Sequence, residues 1–106
     1  MEPFKFDKKT NNLFEAILSL ESVKEAECFF RDLCTIEEIR DMADRWEIAQ
    51  LVNSKMPYRD IALKLKTSTT TVGRVATWLN NGMGGYKLAI SRLHQHSIPF
   101  SKKRLG

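Results

Sequence analysis

The chain has 106 residues, a length that predicts one domain over residues 1–106 with only a modest hydrophobic core. Apolar residues make up 42% of the chain and charged residues 28%, a balance that excludes an intrinsically disordered protein. No apolar run reaches the ~18–20 residues of a membrane span, and residues 1–9 lack the hydrophobic region of a secretory signal, so we expect a cytoplasmic protein.

The net charge of +4 conceals a strong asymmetry between the two halves of the chain. Residues 1–53 contain seven Lys or Arg and twelve Asp or Glu, whereas residues 54–106 contain ten Lys or Arg and a single acid, Asp60. This distribution is typical of a protein that binds a polyanion through one face. An unevenly charged solvated surface is the alternative.

Residues 1–8 are predicted to form an arm, and helical periodicity begins after it. The first helix has an apolar stripe formed by Leu13, Phe14, Ile17 and Leu18. Next, Ser22 and Glu25 have the spacing of a capping box, in which the hydroxyl accepts from an early amide and the glutamate reaches back. A second helix is therefore predicted to follow, and its apolar side comprises Val23, Ala26, Phe29, Phe30 and Leu33.

Thr35 and Glu38 form a second capping box, which starts a third helix with apolar residues at spacings of three and four. Its apolar side comprises Ile36, Ile39, Met42 or Ala43, Trp46, Ala49 or Gln50, and Val52. Asn53 and Ser54 mark its end, and Pro57 breaks the pattern. Residues 9–53 are expected to form the core and a dimer interface.

Three further helices are predicted in the C-terminal half. Pro57 suits the first turn of a fourth helix that ends at Leu65, and a fifth helix covers Thr69–Asn80. Glycine after Asn81 supplies a left-handed terminator, and a sixth helix follows over Tyr86–Gln95, within a C-terminal segment 86–96. Residues 97–106 are predicted to be a flexible tail. The expected fold class is all-α, with about six short helices.

The two cysteines are six residues apart, so on one helix they point in different directions, about 240° around the axis. Cys28 and Cys34 are therefore predicted to be reduced and mostly buried rather than bridged to each other.

The segment Tyr58–Leu79, within residues 57–80, has the pattern of a helix-turn-helix, in which two short helices cross steeply over a tight turn. Such a crossing needs apolar anchors on both helices and a small residue where they approach most closely. Ile61, Leu65, Val72 and Val75 are the anchors, and Ala62 is the small residue. The turn commonly has glycine where this chain has Lys66.

The second helix of this motif is predicted to present a polar face to double-stranded DNA. Short hydroxyls near its N-terminus can meet base edges or phosphates, the first amides add phosphate affinity, and Gly73 allows close approach. The alternative is an ordinary helical hairpin whose exposed face carries polar side chains without a binding role. The predicted DNA-contacting residues are Tyr58, Arg59, Lys64, Lys66, Ser68, Thr69, Thr70, Gly73, Arg74 and Thr77.

The stretch from Leu33 to Lys87 resembles the Trp repressor superfamily, particularly its YerC/YecD-like branch. The resemblance is carried by Leu33–Arg40, Arg45, Met56, Tyr58–Ile61 and Thr71–Arg74. It implies an intertwined homodimer built mostly from the N-terminal helices and a role in transcription regulation. It also implies that Thr69, Thr70 and Gly73 lie where family members meet bases.

The same resemblance suggests an effector pocket. In the tryptophan-binding member two arginines sandwich the indole, and Arg45 and Arg74 match them, while Thr35 matches a threonine near the amino-acid end of the ligand. Val75 and Trp78 replace the glycine and serine that complete that pocket. Because Gly-to-Val overpacking costs ~1–3 kcal/mol or more, we expect the chain's own side chains to fill the slot and exclude tryptophan.

Other chemistry has little support in the sequence. The alternative for Arg45 is a surface ion pair with Asp41, one turn earlier. His94 and His96 do not share a helical face, so no metal site is expected. No nucleophile and base can be paired by spacing, so we expect neither a catalytic site nor an enzyme.

The function favoured by the sequence is a homodimeric, sequence-specific regulator of transcription, more specifically a repressor. One alternative is a helical scaffold module that holds an acidic partner or RNA without reading sequence. Another is a regulator gated by an unidentified small molecule near Arg45 and Arg74.

Overall fold

The computed structural model describes residues 4–97, with side chains up to Gln95, and contains six α-helices in that range. No strand occurs in the described part, which confirms the all-α prediction. The helices are α1 (Lys8–Leu18), α2 (Val23–Leu33), α3 (Ile36–Asn53), α4 (Tyr58–Leu65), α5 (Thr69–Asn81) and α6 (Gly85–Ser97). The flexible tail was predicted for residues 97–106, but Ser97 is the last residue of α6, and residues 98–106 lie outside the described residues.

The chain forms two compact units that divide between Ile39 and Arg40. The N-terminal unit contains α1, α2 and the first turn of α3. The second unit contains the rest of α3 together with α4, α5 and α6.

Side-chain caps start each helix of the N-terminal unit. The Asp7 carboxylate accepts from the backbone N–H of Thr10 at 2.8 Å and also from its hydroxyl, and these bonds hold the pKa of Asp7 below its ordinary value. Because Asp7 is the cap, α1 begins at Lys8, inside the predicted arm.

The capping box predicted before α3 is complete, and the one predicted before α2 is half formed. The Thr35 hydroxyl accepts from the Glu38 N–H at 3.1 Å, and the Glu38 carboxylate accepts from the Thr35 N–H at 2.8 Å. Before α2 the Ser22 hydroxyl accepts from the Glu25 N–H, but the Glu25 carboxylate accepts from the N–H of Glu21, one residue before the cap.

The N-terminal unit has no buried residue among its described residues, 4–39. The prediction that the cysteines are mostly buried was wrong, because Cys28 is exposed and Cys34 is half-buried, although both thiols are free as expected. Helices α1 and α2 therefore carry apolar surface that is not enclosed within one chain.

The hydrophobic core lies in the second unit, where α4 and α5 pack against each other and α5 packs against α6. All five residues predicted to hold the helix-turn-helix together lie in or against this core, which confirms that motif. Ile48 of α3 is also fully buried, although the predicted apolar stripe of α3 omitted it. The core contains Ile48, Ala49, Ile61, Ala62, Val72 and Val75, with Leu65 packed against it.

Two loop details differ from the predictions. Pro57 is the N-cap of α4 rather than a member of its first turn, with an extended ψ of 143°. The residue that ends α5 is Gly82, whose φ of −85° is not left-handed, and the left-handed glycine is Gly84 at φ +86°. Gly82 is needed for another reason, because a Cβ there would collide with the backbone carbonyl of Trp78.

Candidate DNA-binding surface and effector cleft

The turn between α4 and α5 sets the direction of the fifth helix. Lys66 ends α4 in the left-handed conformation, at φ 56° and ψ 46°, where such turns commonly have glycine. The Thr67 N–H donates to the Ala62 carbonyl at 3.0 Å and closes the turn. The Ser68 hydroxyl then accepts from the Thr71 N–H at 3.0 Å and starts α5.

The outer face of α5 carries the residues that the sequence predicts to read DNA. Thr69 and Thr70 are exposed in its first turn, and their hydroxyls make no hydrogen bond to any described residue. The Thr77 hydroxyl, by contrast, donates to the Gly73 carbonyl at 3.0 Å, and the Ser68 hydroxyl is occupied as the cap. The two threonines of the first turn are therefore the side chains best able to bond an external group.

Gly73 lies in the middle of α5 without an internal reason to be glycine. A Cβ added at this position would meet nothing within 4 Å, and its backbone is helical. Glycine inside a helix costs ~0.5–1 kcal/mol relative to alanine. Neither packing nor backbone conformation therefore accounts for this glycine.

The positive charges of α4 and α5 are available to an external anion. Arg59, Lys64, Lys66 and Arg74 are exposed, and none of them makes an ion pair with a described residue. Tyr58, also predicted to contact DNA, is exposed at the start of α4. All ten predicted contact residues thus lie on α4, α5 or the intervening turn, nine of them exposed and Gly73 half-buried.

Four of the five predicted pocket residues line one cavity of about 350 Å³ between α3 and α5. These are Arg45, Arg74, Val75 and Trp78, and the cavity is open rather than filled by the chain's own side chains, contrary to the expectation. Val75 is buried and packs into the core below the cavity, while Trp78 is 55% exposed at its rim. Val75 therefore borders both the cavity and the core.

Thr71 also lines this cavity, although the sequence analysis missed it. The signal was present, since Thr71 precedes Arg74 by three residues and Val75 by four and so shares their helical face. Thr35, the fifth predicted residue, caps α3 in the N-terminal unit, where its hydroxyl accepts from Glu38.

The ion pair considered for Arg45 is absent, because the structure records no bond from Arg45 to Asp41 or to any other described carboxylate. An exposed pair of this kind gains little Coulomb energy and costs side-chain entropy, so its absence is physically unsurprising. Arg45 and Thr71 line a second cavity as well, of about 270 Å³, whose other lining residues are Asp41, Asp44, Ile48, Leu65 and Thr67.

The model of the family described as "Trp repressor protein" matches residues 8–94 of this chain. The chain belongs to the Trp repressor family. Membership makes it a DNA-binding regulator in the general sense, and the family is regulatory rather than enzymatic. The resemblance inferred from the helix-turn-helix and its flanking residues is thereby confirmed.

Three of the proteins that are similar to this chain match it over most of its length. The "Uncharacterized protein YerC" of Bacillus subtilis (strain 168) is 38% identical over 96 residues, which cover 91% of this chain and 92% of that protein. A TrpR-like protein from Eubacterium eligens ATCC 27750 is 42% identical with a TM-score of 0.80, over 83% of this chain and 91% of that one. A proposed Trp repressor from Staphylococcus aureus is 32% identical with a TM-score of 0.79, over 84% of this chain and 89% of that one.

No helix within residues 4–97 is both long and apolar enough to cross a membrane. Among the same residues, no group of three or more His, Cys, Asp or Glu is arranged to hold a metal ion.

Proposed function

We propose that this member of the Trp repressor family is a homodimeric, sequence-specific repressor of transcription that acts in the cytoplasm. The observation that carries the proposal is the outer face of α5. It combines two hydroxyls without internal partners, at Thr69 and Thr70, with a mid-helix glycine that packing does not require. Both features are accounted for if this face meets DNA.

The proposed reading mechanism follows from the position of these groups. With the N-terminus of α5 in the major groove, the Thr69 and Thr70 hydroxyls bond base edges, and the missing side chain at Gly73 lets the helix approach closely. The exposed cations Arg59, Lys64, Lys66 and Arg74 neutralise phosphates and hold the register of the helix.

The homodimer is supported by the exposed apolar surface of the N-terminal unit. A unit with no buried residue among positions 4–39 gains little hydrophobic stabilisation alone, and a second copy can cover that surface. Two recognition helices related by a twofold axis then enter successive major grooves ~34 Å apart. The large exposed apolar residues of this unit are Phe4, Phe6, Phe14, Leu18, Val23, Leu33 and Ile36.

Selection of binding sites from a random duplex pool at near-physiological salt tests the proposal. A palindromic consensus with half-sites about one helical turn apart supports a dimeric, sequence-reading regulator. Binding that disappears at moderate salt without any enriched sequence contradicts it and favours the scaffold module. Repression is tested separately, by placing the selected site across a promoter and measuring transcript with and without the protein.

A regulator gated by a small anion is the second candidate function, and one observation favours it. Arg45 and Arg74 both line one open cavity, and neither makes an ion pair with a described residue. Because the cavity is open where Val75 was expected to fill it, tryptophan, which carries a carboxylate, is among the candidate ligands. A thermal-shift screen of carboxylates and phosphates, with L-tryptophan included, tests this candidate. If a compound stabilises the unsubstituted chain but not the Arg45→Ala variant, the result supports a regulator gated by a small anion. If no compound stabilises the chain, the result favours DNA binding that needs no effector.

A further inference from the structure

We infer that Lys55, in the loop before α4, binds a phosphate of the DNA backbone in a cavity beside the helix-turn-helix. The cavity has a volume of about 300 Å³ and lies between the end of α3, the start of α4 and the end of α5. The inference rests on the DNA binding proposed above and adds an anion site outside the recognition helix.

The backbone around Lys55 ends α3 with the bond pattern of a Schellman cap. The Met56 N–H donates to the Leu51 carbonyl at 3.1 Å. The Lys55 N–H donates to the Val52 carbonyl at 3.0 Å, and Lys55 itself is left-handed, with a φ of 72°. Both bonds use backbone atoms and Met56 packs against the core, so the lysine side chain is not needed to form this loop.

Lysine is an unexpected residue in this conformation. Two non-glycine residues in the described part of the chain have a positive φ, and both are lysines, Lys55 just before α4 and Lys66 just after it. Because a Cβ is disfavoured there, backbone geometry does not select lysine at either position. A positive charge at such a place either interacts with the dipole at the C-terminus of the preceding helix or binds an external anion. The surroundings of Lys55 favour the anion.

The cavity is lined by three residues whose polar side-chain groups have no partner among the described residues, namely Asn53, Lys55 and Tyr58. Asn80 also lines it, but its amide already donates to the Ala76 carbonyl at 3.0 Å. None of the described residues that line the cavity is Asp or Glu. An ammonium, an amide and a phenolic hydroxyl can all donate to an oxyanion that has several acceptor oxygens, as a phosphate has.

Tyr58 connects the cavity to the proposed DNA-binding surface. It lines the cavity, is 44% exposed, and is followed in α4 by Arg59, which is proposed to neutralise a phosphate. The first helix of a helix-turn-helix crosses the sugar–phosphate backbone, so the group of DNA that this end of α4 meets is a phosphate. Thr69 and Thr70 lie at the start of α5, whereas the cavity lies at its end, so the phosphate flanks the bases that α5 reads.

Neutral phosphates in the duplex, combined with variants of Lys55, test the contact. Lys55→Gln removes the charge but keeps a Cβ, so the backbone strain is unchanged, and Lys55→Arg keeps the charge. Each phosphate of the selected duplex is replaced in turn by an uncharged methylphosphonate, and fluorescence anisotropy measures the dissociation constant at several salt concentrations. The matched control is Lys24→Gln, which removes an exposed charge from α2.

We expect Lys55→Gln to weaken binding ~5-fold at near-physiological salt and to lower the salt slope by ~1, because one fewer counterion is released. The ratio of affinities for matched and mismatched duplexes should stay the same, since a phosphate carries no base identity. One methylphosphonate outside the bases read by α5 should weaken the unsubstituted chain but not Lys55→Gln, because both changes remove the same contact. Lys55→Arg and Lys24→Gln should bind as the unsubstituted chain does.

Two outcomes overturn the inference while the proposed function stands. If Lys55→Gln lowers the stability to urea but leaves the DNA affinity and the salt slope unchanged, while Arg74→Ala lowers both, Lys55 acts only on the dipole of α3. If inorganic phosphate raises the melting temperature of the unsubstituted chain but not of Lys55→Gln, and the two have the same salt slope with DNA, the cavity takes a free phosphate instead of the DNA backbone.

The proposed function can also fail separately. If no sequence is enriched but Lys55→Gln still lowers the salt slope of duplex binding, the phosphate site stands and the sequence-specific regulator is wrong. If the unsubstituted chain binds no duplex at all, the proposed function and the phosphate site are both wrong.

Discussion

The rings of Trp46 and Tyr86 stack with their centroids 6.3 Å apart and their planes inclined by 24°, which joins α3 to α6. Tyr86 also packs against the hydrophobic core just after the glycine-rich loop. We predict that Tyr86→Ala lowers the free energy of unfolding by ~1–2 kcal/mol, because a partly buried ring and its stacking partner are lost.

Urea denaturation at fixed protein concentration measures this change. The matched control is Tyr86→Phe, which keeps the ring and should stay within ~0.5 kcal/mol of the unsubstituted chain. Equal stability of the alanine and phenylalanine variants would mean that the stacked ring adds nothing to the fold.

The end of α5 supplies a second prediction about stability. Gly82→Ala should destabilise the protein by ~1–3 kcal/mol, because the new methyl group collides with the backbone carbonyl of Trp78, which cannot move without distorting α5. Gly85→Ala is the matched control, since a Cβ there meets nothing within 4 Å and alanine favours the helix. Thermal unfolding compares the two, and a Gly82→Ala melting temperature at or above that of Gly85→Ala would refute the steric argument.

Substitution of Gly73 should change the stability of the protein and its DNA affinity in opposite directions. Gly73→Ala is expected to raise the free energy of unfolding by ~0.5–1 kcal/mol, because it removes a glycine from a helix and fills open space. The same methyl group should weaken DNA binding by standing between α5 and the groove. Denaturation and fluorescence anisotropy with the selected duplex test the two effects. If the variant is more stable and its DNA affinity is unchanged, the face of α5 that contains Gly73 does not contact DNA closely.

Lys66 holds a left-handed conformation without being glycine. Lys66→Gly should therefore raise the melting temperature modestly, because glycine relieves a backbone strain of ~1 kcal/mol. The gain is reduced by the conformational entropy that glycine adds to the unfolded chain. It should also lower the salt slope of DNA binding by ~1, since one phosphate contact disappears. Lys64→Gly, inside α4, is the control and should lower stability while reducing the slope equally. A lower melting temperature for Lys66→Gly would contradict the strain argument.

Arg74 and Thr70 should affect DNA binding in different ways. Arg74→Ala is expected to weaken binding to all sequences alike and to reduce the salt slope by ~1. Thr70→Ala should instead cost ~1–3 kcal/mol on the preferred site and relax the base preference at one position. Titrations of matched and mismatched duplexes at several salt concentrations distinguish these effects. If DNA affinity is unchanged in both variants, α5 is not the helix that reads the DNA sequence.

Local sequence determined the helices and the motif of this protein. The hydroxyl–glutamate pairs Ser22/Glu25 and Thr35/Glu38 marked helix starts correctly, because a capping bond joins residues only three or four positions apart. The anchors of the helix-turn-helix were equally readable, since the spacing of Ile61, Val72 and Val75 reflects the geometry of one short motif.

Tertiary structure decided the features that depend on what lies opposite a side chain. The burial of Ile48 and the exposure of Cys28 could not be read from their own helices, because burial depends on which neighbouring elements cover each helical face. The cavity beside Arg45 and Arg74 could not be predicted from local sequence for the same reason. Substitution of valine for glycine suggested a filled slot, but the orientation of α5 places Val75 in the core and leaves Arg45 and Arg74 beside an open cavity. Helical periodicity assigns a residue to a face, and only the packing of the helices fixes what that face meets.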